Sequence, residues 1–483
     1  MAFGPARRAG RSGPTGSTAL LATLVVAGLL AGSARAQETR GTGAVVGGTL
    51  VDGTGAPPVT DAAVVFRDGR ITCAGPRSRC PVPADVPVVD AGDRWIIPGL
   101  VDGHVHYSQT GWADGRPDQA ADLRERGWRY DVAMAENRAH PERWHRAYLC
   151  SGVTAVWDVG GYPWTWDLRE RAEADPRAPH VVAAGPLLST RDHWLNLPGE
   201  RQFLHLSDAE AAEGAAEYLV ASGTDQIKVW YLVGEDDPAA AHHQRMLRIA
   251  AEVAEEAGVP LIVHATGLWQ AKDALRAGAD HLVHSVYDQE VDEEFVELAR
   301  AAGASYNPTL TVFRGVREFA ERRFDGADLD LACVDPTTLA KARETEGVPG
   351  GVSPERTRQL REAGDARYRL MLRNLRTVHE AGIPVVMGTD AGNTLTLHGP
   401  SVFAEMEAMQ EAGLSPMEVL LASTRNAARA MGRGEELGTV EPGRVADLVL
   451  LAADPTEDVS AVRTRTAVIR AGWLHTVASL RYR

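Results

Sequence analysis

The chain has 483 residues, with 50 Lys and Arg against 65 Asp and Glu, and a formal net charge of −15 at pH 7. That length suffices for one large domain with a small companion, and the acidity disfavours nucleic acid and anionic lipid as partners. Four cysteines are too few to staple a chain of this size, so the fold must rest on buried apolar area.

In chain order, Arg7, Arg8 and Arg11 precede an uncharged apolar run at 19–31 and then Ala34-Arg35-Ala36. This order of charge, apolar core and small-residue cleavage site predicts a signal peptide over 1–36 and an exported protein, periplasmic or secreted. The paired arginines leave Sec and twin-arginine export both open. The run is about 13 residues, short of the roughly 20 that a membrane-spanning helix needs, and no later run is longer, so no membrane span is expected.

Residues 44–93 read as short strands separated by Gly, Pro and Asp turns, and so do 437–476. Neither is large enough to bury a core alone. Their pairing predicts a small β-sandwich domain assembled from 37–95 and 432–483. Cys73 and Cys80 flank a short loop there, and they read either as a disulfide or as two separate buried thiols.

Between these ends, from 96 to 431, short β-branched runs alternate with longer helical patterns rich in Ala, Leu, Glu and Arg, the mark of repeated βα units. The predicted strands are 96–107, 153–160, 180–188, 226–232, 260–265, 281–286, 304–313 and 383–389. Eight parallel strands close a barrel, so the fold class is α/β, a (β/α)8 TIM barrel. A charged segment at 314–364 interrupts the alternation after the seventh strand and reads as an insertion that could serve as a lid.

Chemistry-bearing residues gather at the strand ends. His104 and His106 stand at i and i+2, and alternate strand residues share a face, so both imidazoles can enter the barrel. His264, His284 and Asp390 each follow an apolar strand run, at the end where barrel enzymes build their sites. Lys228 lies within the apolar strand 226–232, and a lysine facing divalent cations is costly unless its charge changes.

This pattern resembles the amidohydrolase superfamily, and within it the imidazolonepropionase-like and Xaa-Pro dipeptidase-like two-metal subgroup. The resemblance covers Pro98-Gly99-Leu100-Val101-Asp102-Gly103-His104, Thr389-Asp390-Ala391-Gly392 and the closing run Gly438-Thr439-Val440-Glu441-Pro442-Gly443-Arg444-Val445-Ala446-Asp447-Leu448. It implies that His104, His106 and Asp390 hold one divalent metal ion and that His264 and His284 hold the other. It further implies that Lys228, carboxylated by carbon dioxide to a carbamate, bridges the two. Four imidazoles with carboxylates favour zinc. Deaminases of the superfamily tend to carry a glutamate just after the fifth-strand histidine, whereas Ala265-Thr266-Gly267 follow His264 here.

The expected activity is therefore cleavage of an amide bond in dipeptides or N-acyl amino acids by a metal-bridging hydroxide, with Asp390 as general base. Tyr231, His193 or Arg314 would hold the substrate carboxylate, and His140 is a further candidate for the pocket. Hydrolysis of cyclic amides, lactones or phosphotriesters is the alternative chemistry for the same metals. A non-catalytic secreted binding protein is the alternative of another class. The partner is a small molecule or dipeptide, and the sequence leaves a homo-oligomer open.

Overall fold

The computed structural model describes residues 41–116, 128–192, 200–348 and 353–482. The expected signal peptide and His193 lie outside the described residues. No described helix is long and apolar enough to cross a membrane.

Both chain ends enter one eight-stranded sheet. The N-terminal strands are β1 (Gly43–Leu50), β2 (Val59–Thr60), β3 (Ala62–Arg67), β4 (Arg70–Pro76) and β5 (Val88–Pro98), and the C-terminal strands, numbered in chain order after those of the barrel, are β15 (Leu448–Leu451), β16 (Arg465–Arg470) and β17 (Trp473–Thr476). Their order is β17-β16-β15-β5-β1-β3-β4, with β2 on β1. The join between the ends is the antiparallel pairing of β15 with β5, Leu448 opposite Pro98 and Leu451 opposite Trp95. Alternation sorts the side chains: Val45, Val64, Ile96, Leu448 and Leu450 share one cluster, whereas Val449, Leu451 and Ile97 join the core of the barrel. One strand pattern thus serves two hydrophobic contacts. Cys73 and Cys80 are bridged, and beside them Cys80 and Val86 cover the other face of β1 and β3.

The parallel strands form two runs. The first is β6 (Leu100–Val105), β7 (Val153–Asp158) and β8 (His180–Ala183); the second is β10 (Phe203–His205), β9 (Leu187–Ser189), β11 (Ile227–Trp230), β12 (Leu261–His264), β13 (His281–Val283) and β14 (Ser305–Asn307). Residues 180–189 supply one stave in two pieces, β8 against β7 and β9 against β11. The eighth stave, residues 384–391, has no ladder of its own, only single bridges Tyr306↔Val385 and Val105↔Ala391. Those bridges close the circle between β14 and β6, giving the (β/α)8 barrel.

Among the boundaries that differ from the sequence expectation, three bear on the site. The strand expected at 96–107 is cut at Gly99: β5 stays in the terminal sheet and β6 starts the barrel. A Cβ on Gly99 would collide with the Thr154 side chain, so only glycine permits that turn. The strand expected at 304–313 stops at Asn307, because Pro308 cannot donate to a ladder and Thr309, at φ 42°, turns the chain into the helix Leu310–Ala320. The strand expected at 383–389 is reduced to the bridges above.

The segment 314–364 is built into the body. It shares the helix Leu310–Ala320 with the preceding stave and the helix Pro354–Glu380 with the chain that follows. A second disulfide, Cys150–Cys333, ties it to the helix Glu142–Cys150. Lys341 Nζ reaches Asp114 Oδ2 at 2.6 Å, Trp112 Nε1 donates to Thr345 Oγ1 at 2.9 Å, and Arg465 Nη2 donates to Asp330 Oδ2 at 2.7 Å.

Candidate metal centre

On β11, Ile227 and Val229 pack outward into the core between strands and helices, so Lys228 must point into the barrel. It is 2% exposed. On β12, Leu261 and Val263 likewise face outward, which turns His264 inward with Ile262. β13 needs a further device. Val283 already faces the barrel interior, so a regular pleat would turn His284 out; φ of 78° at His284 turns it back. Asp390, at φ 61°, is left-handed as well. Two of the expected ligands therefore sit in conformations that cost energy unless their surroundings hold them.

The surroundings do hold them. Asp102 accepts hydrogen bonds from Thr389 N (2.9 Å), Thr389 Oγ1 (2.7 Å) and His104 N (3.4 Å), joining the first stave to the eighth. Burial pushes the Asp102 carboxyl up to about 7, against those three donors. Asn393 Nδ2 donates to Asp390 Oδ2 at 3.0 Å. His106 Nδ1 pairs with Gly160 O at 2.7 Å and His284 Nδ1 with Thr309 Oγ1 at 2.8 Å, and each contact fixes a ring. A Cβ on Gly388 would strike the Asn307 side chain and His104, so glycine lets the first and eighth staves approach.

The four imidazoles run in sequence around the interior, with ring centroids 5.3 Å apart for His106 and His104, 5.0 Å for His104 and His284, and 4.4 Å for His284 and His264. Asp390 Oδ1 lies 3.1 Å from His106 Nε2 and 3.5 Å from His104 Nε2, and these three side chains can offer one ligand atom each within 4.8 Å of one another. Burial, reinforced by Lys228, holds His104 and His264 well below the usual imidazole range; at His284 burial, then His264 and Lys228, do the same. Neutral imidazoles are the metal-binding form. Burial also brings the Lys228 amine down to about 7, with Asp390 opposing.

Among the described residues, Lys228 Nζ, both ring nitrogens of His104 and Asp390 Oδ1 have no hydrogen-bond partner. Buried polar atoms are nearly always paired, so unpaired atoms on three side chains that line one cavity fit a site made for cations. The donor set of imidazoles, a carboxylate and a lysine fits the divalent metals expected from the sequence.

This centre opens into a cavity of about 430 Å³ whose lining includes all six expected ligands. Tyr231 is not in that lining. Its hydroxyl donates to Asp273 Oδ2 at 2.5 Å, and Gln244 holds the other oxygen of that carboxylate. Lys228 faces inward, so Trp230 does too and Tyr231 faces out; the expected substrate contact through Tyr231 is corrected. Arg314 is also elsewhere, paired with Glu318 and Asp328 beside a second cavity. His140 is exposed between Glu136 and Glu142. Sequence reasoning missed Arg116, Trp230, Tyr287, Phe313 and Arg367, all of which line the cavity.

A ring of parallel staves with histidines, an aspartate and a buried lysine at its C-terminal mouth defines a metal-dependent hydrolase on a TIM barrel. The chain belongs to the Amidohydrolase family, whose profile matches residues 95–474, and it acts on carbon–nitrogen bonds. It is 28% identical over 423 residues to an imidazolonepropionase of Symbiobacterium thermophilum, covering 84% of this chain and 89% of that one. It is 25% identical over 450 residues to a 5-methylthioadenosine/S-adenosylhomocysteine deaminase of the same organism, covering 88% and 89%. Among solved structures, a putative prolidase from Bifidobacterium longum superposes with TM-score 0.67 at 23% identity over 90% of this chain and 95% of that one. A Xaa-Pro dipeptidase with bound methionine superposes with TM-score 0.66 at 21% identity over 90% and 100%.

Proposed function

We propose that the protein is an exported two-metal amidohydrolase that cleaves the amide bond of dipeptides or N-acyl amino acids. The observation that carries this reading is the buried, unpartnered Lys228 amine among four imidazoles and Asp390. An amine brought to about 7 has a substantial unprotonated fraction near neutrality, the form that takes up carbon dioxide, and the resulting carbamate replaces a badly placed cation by an anion. Lys228 would then bridge, with His104, His106 and Asp390 on one metal and His264 and His284 on the other. Two divalent cations, zinc by the ligand set, would acidify water to supply a nucleophile near neutral pH.

The chain's own residues have separate tasks. Asp390, with Oδ2 held by Asn393, keeps Oδ1 on the side of His104 and His106, where it can accept a proton from the attacking water. That proton passes to the leaving nitrogen as the carbon–nitrogen bond breaks, so water is consumed and an amine and a carboxylate are released. Leu187, Phe203, Trp230 and Leu232 give the cavity an apolar wall.

Export is supported by the cysteines: both disulfides together use all four, which suits an oxidising compartment. The test of the whole reading is a screen of the metal-loaded mature protein against dipeptides, N-acyl amino acids, cyclic amides, lactones and phosphotriesters. Turnover of the first two groups is expected. Activity confined to lactones or phosphotriesters would overturn the substrate class, and N-terminal sequencing of exported protein that did not begin after Ala36 would overturn the processing site.

A further inference from the structure

The lining of the cavity is poor in carboxylates although the chain as a whole is acidic. The protein carries −15 overall, yet Asp390 is the single carboxylate among the described lining residues, which include two cationic guanidinium groups, Arg116 and Arg367. Divalent cations would add to that sign. Low-dielectric walls of one charge concentrate ligands of the other, so the space is built for an anion.

Arg367 is the most informative of these cations. Its guanidinium carbon lies 4.3 Å from the centroid of the Tyr287 ring, and that ring meets Phe313 edge-on at 5.0 Å. Four nearby arginines are taken up by carboxylates: Arg361 by Glu321, Arg373 by Glu290, Arg317 by Asp365 and Arg314 by Glu318 and Asp328. Among the described residues Arg367 has no such partner. A guanidinium stacked on an aromatic face is held in place while its N–H edge stays available, and that edge matches the two oxygens of a carboxylate. Apolar side chains share the cavity lining with it and with the metal-binding residues, among them Val312 and Phe313 on one helix and Phe203 and Trp230 from β10 and β11. Such a space suits a molecule with an apolar body and an anionic end.

We propose that Arg367, laid on Tyr287, anchors the free carboxylate of the substrate, so that the site selects N-acyl amino acids and dipeptides with an apolar C-terminal residue over their amidated counterparts. This rests on the reading of the site as an amide hydrolase of such substrates, and it assigns to Arg367 the part expected of Tyr231. The screening charge of water at the mouth is displaced when substrate covers the guanidinium, which strengthens the pair.

The test uses the zinc-loaded enzyme with N-acetyl-L-phenylalanine and N-acetyl-L-phenylalaninamide, measuring acetate release and calorimetric affinity for both. Wild type should prefer the acid by roughly 10- to 100-fold, the worth of a charged hydrogen-bonded pair. Arg367→Gln should bring that ratio close to unity through KM, with kcat little changed. Arg367→Lys should keep part of it, and Arg361→Gln, a paired arginine on the same helix, should keep all of it. An Arg367→Gln enzyme whose acid-to-amide ratio stayed within about twofold of wild type would overturn the anchor and leave amide hydrolysis standing. Loss of the calorimetric preference in Arg367→Gln, with no acetate released by any form, would support the anchor and overturn the hydrolytic reading. Failure of wild type to bind either compound would overturn both.

Discussion

Thr389 gives both of its donors to one carboxylate, its N–H to Asp102 Oδ1 at 2.9 Å and its hydroxyl to Asp102 Oδ2 at 2.7 Å, although 287 residues separate the two in sequence. That clasp fastens the stave carrying His104 and His106 to the one carrying Asp390, where regular sheet pairing is absent. Asp102→Ala would leave buried donors unsatisfied at about 1–3 kcal/mol each. The expected result is a Tm lower by several degrees and less than full metal content, measured by calorimetry and elemental analysis. Unchanged values for both would show that the staves are held together by other means.

Lys228→Ala should lose bound metal and turnover together, because it removes the group that would bridge the two ligand sets. Short-chain carboxylic acids added to this variant should restore part of the activity by entering the vacated space as anions. A Lys228→Ala protein that kept two metals per chain and wild-type rate would remove the lysine from the centre.

For Asp390→Asn the fold should survive, since an amide retains the acceptor that Asn393 uses, while turnover should fall by about 10²–10⁴-fold, the usual worth of a general base. Retention of more than about a tenth of wild-type kcat would contradict that role.

The junction of barrel and terminal sheet has its own pH dependence. His180 Nδ1 lies 2.8 Å from Glu173 Oε2 and Nε2 lies 3.3 Å from Asp447 Oδ2, with Arg470 alongside. Burial alone would lower the His180 imidazole, but the two carboxylates outweigh it and hold it above 6.5. Burial would raise Glu173, but His180, Arg433 and Arg470 bring it down to about 2. A raised imidazole stabilises fully below 6.5 and loses that contribution as pH rises through its folded value. A lowered carboxyl stabilises above 4.5 and loses it as pH falls towards about 2. The network should contribute most between those two ordinary values, 4.5 and 6.5. The Tm difference between wild type and His180→Gln should be largest there and shrink in mildly alkaline buffer. A difference independent of pH would mean that His180 acts by packing alone.

The ligand residues were legible because apolar strand runs announce where a stave ends, near which His104, His106, His264, His284 and Asp390 sit, and because Lys228 is a charge inside such a run. The two-residue period that turns Lys228 inward also turns Tyr231 outward, so its exclusion was readable, yet its closeness to the lysine in sequence suggested otherwise. Arg116 and Arg367 come from a loop and a distant helix, and no local period brings them to the same cavity. The pairing of Cys150 with Cys333 spans 183 residues, a proximity created by tertiary packing alone. The terminal sheet was legible as an association of the two chain ends, but its strand order, with β15 against β5, was not.

The Cys150–Cys333 bridge lies against β16, next to last of the strands, since Arg465 of β16 donates both to Cys150 O and, at 3.2 Å, to Cys333 Sγ. The part of segment 314–364 around Cys333 is therefore fixed by three things together: the folded middle of the chain, the arrival of β16 and the oxidised thiols. A reduced chain would lack the covalent one of these ties, so the anchoring of this segment becomes sensitive to the redox state of the compartment in which the protein folds.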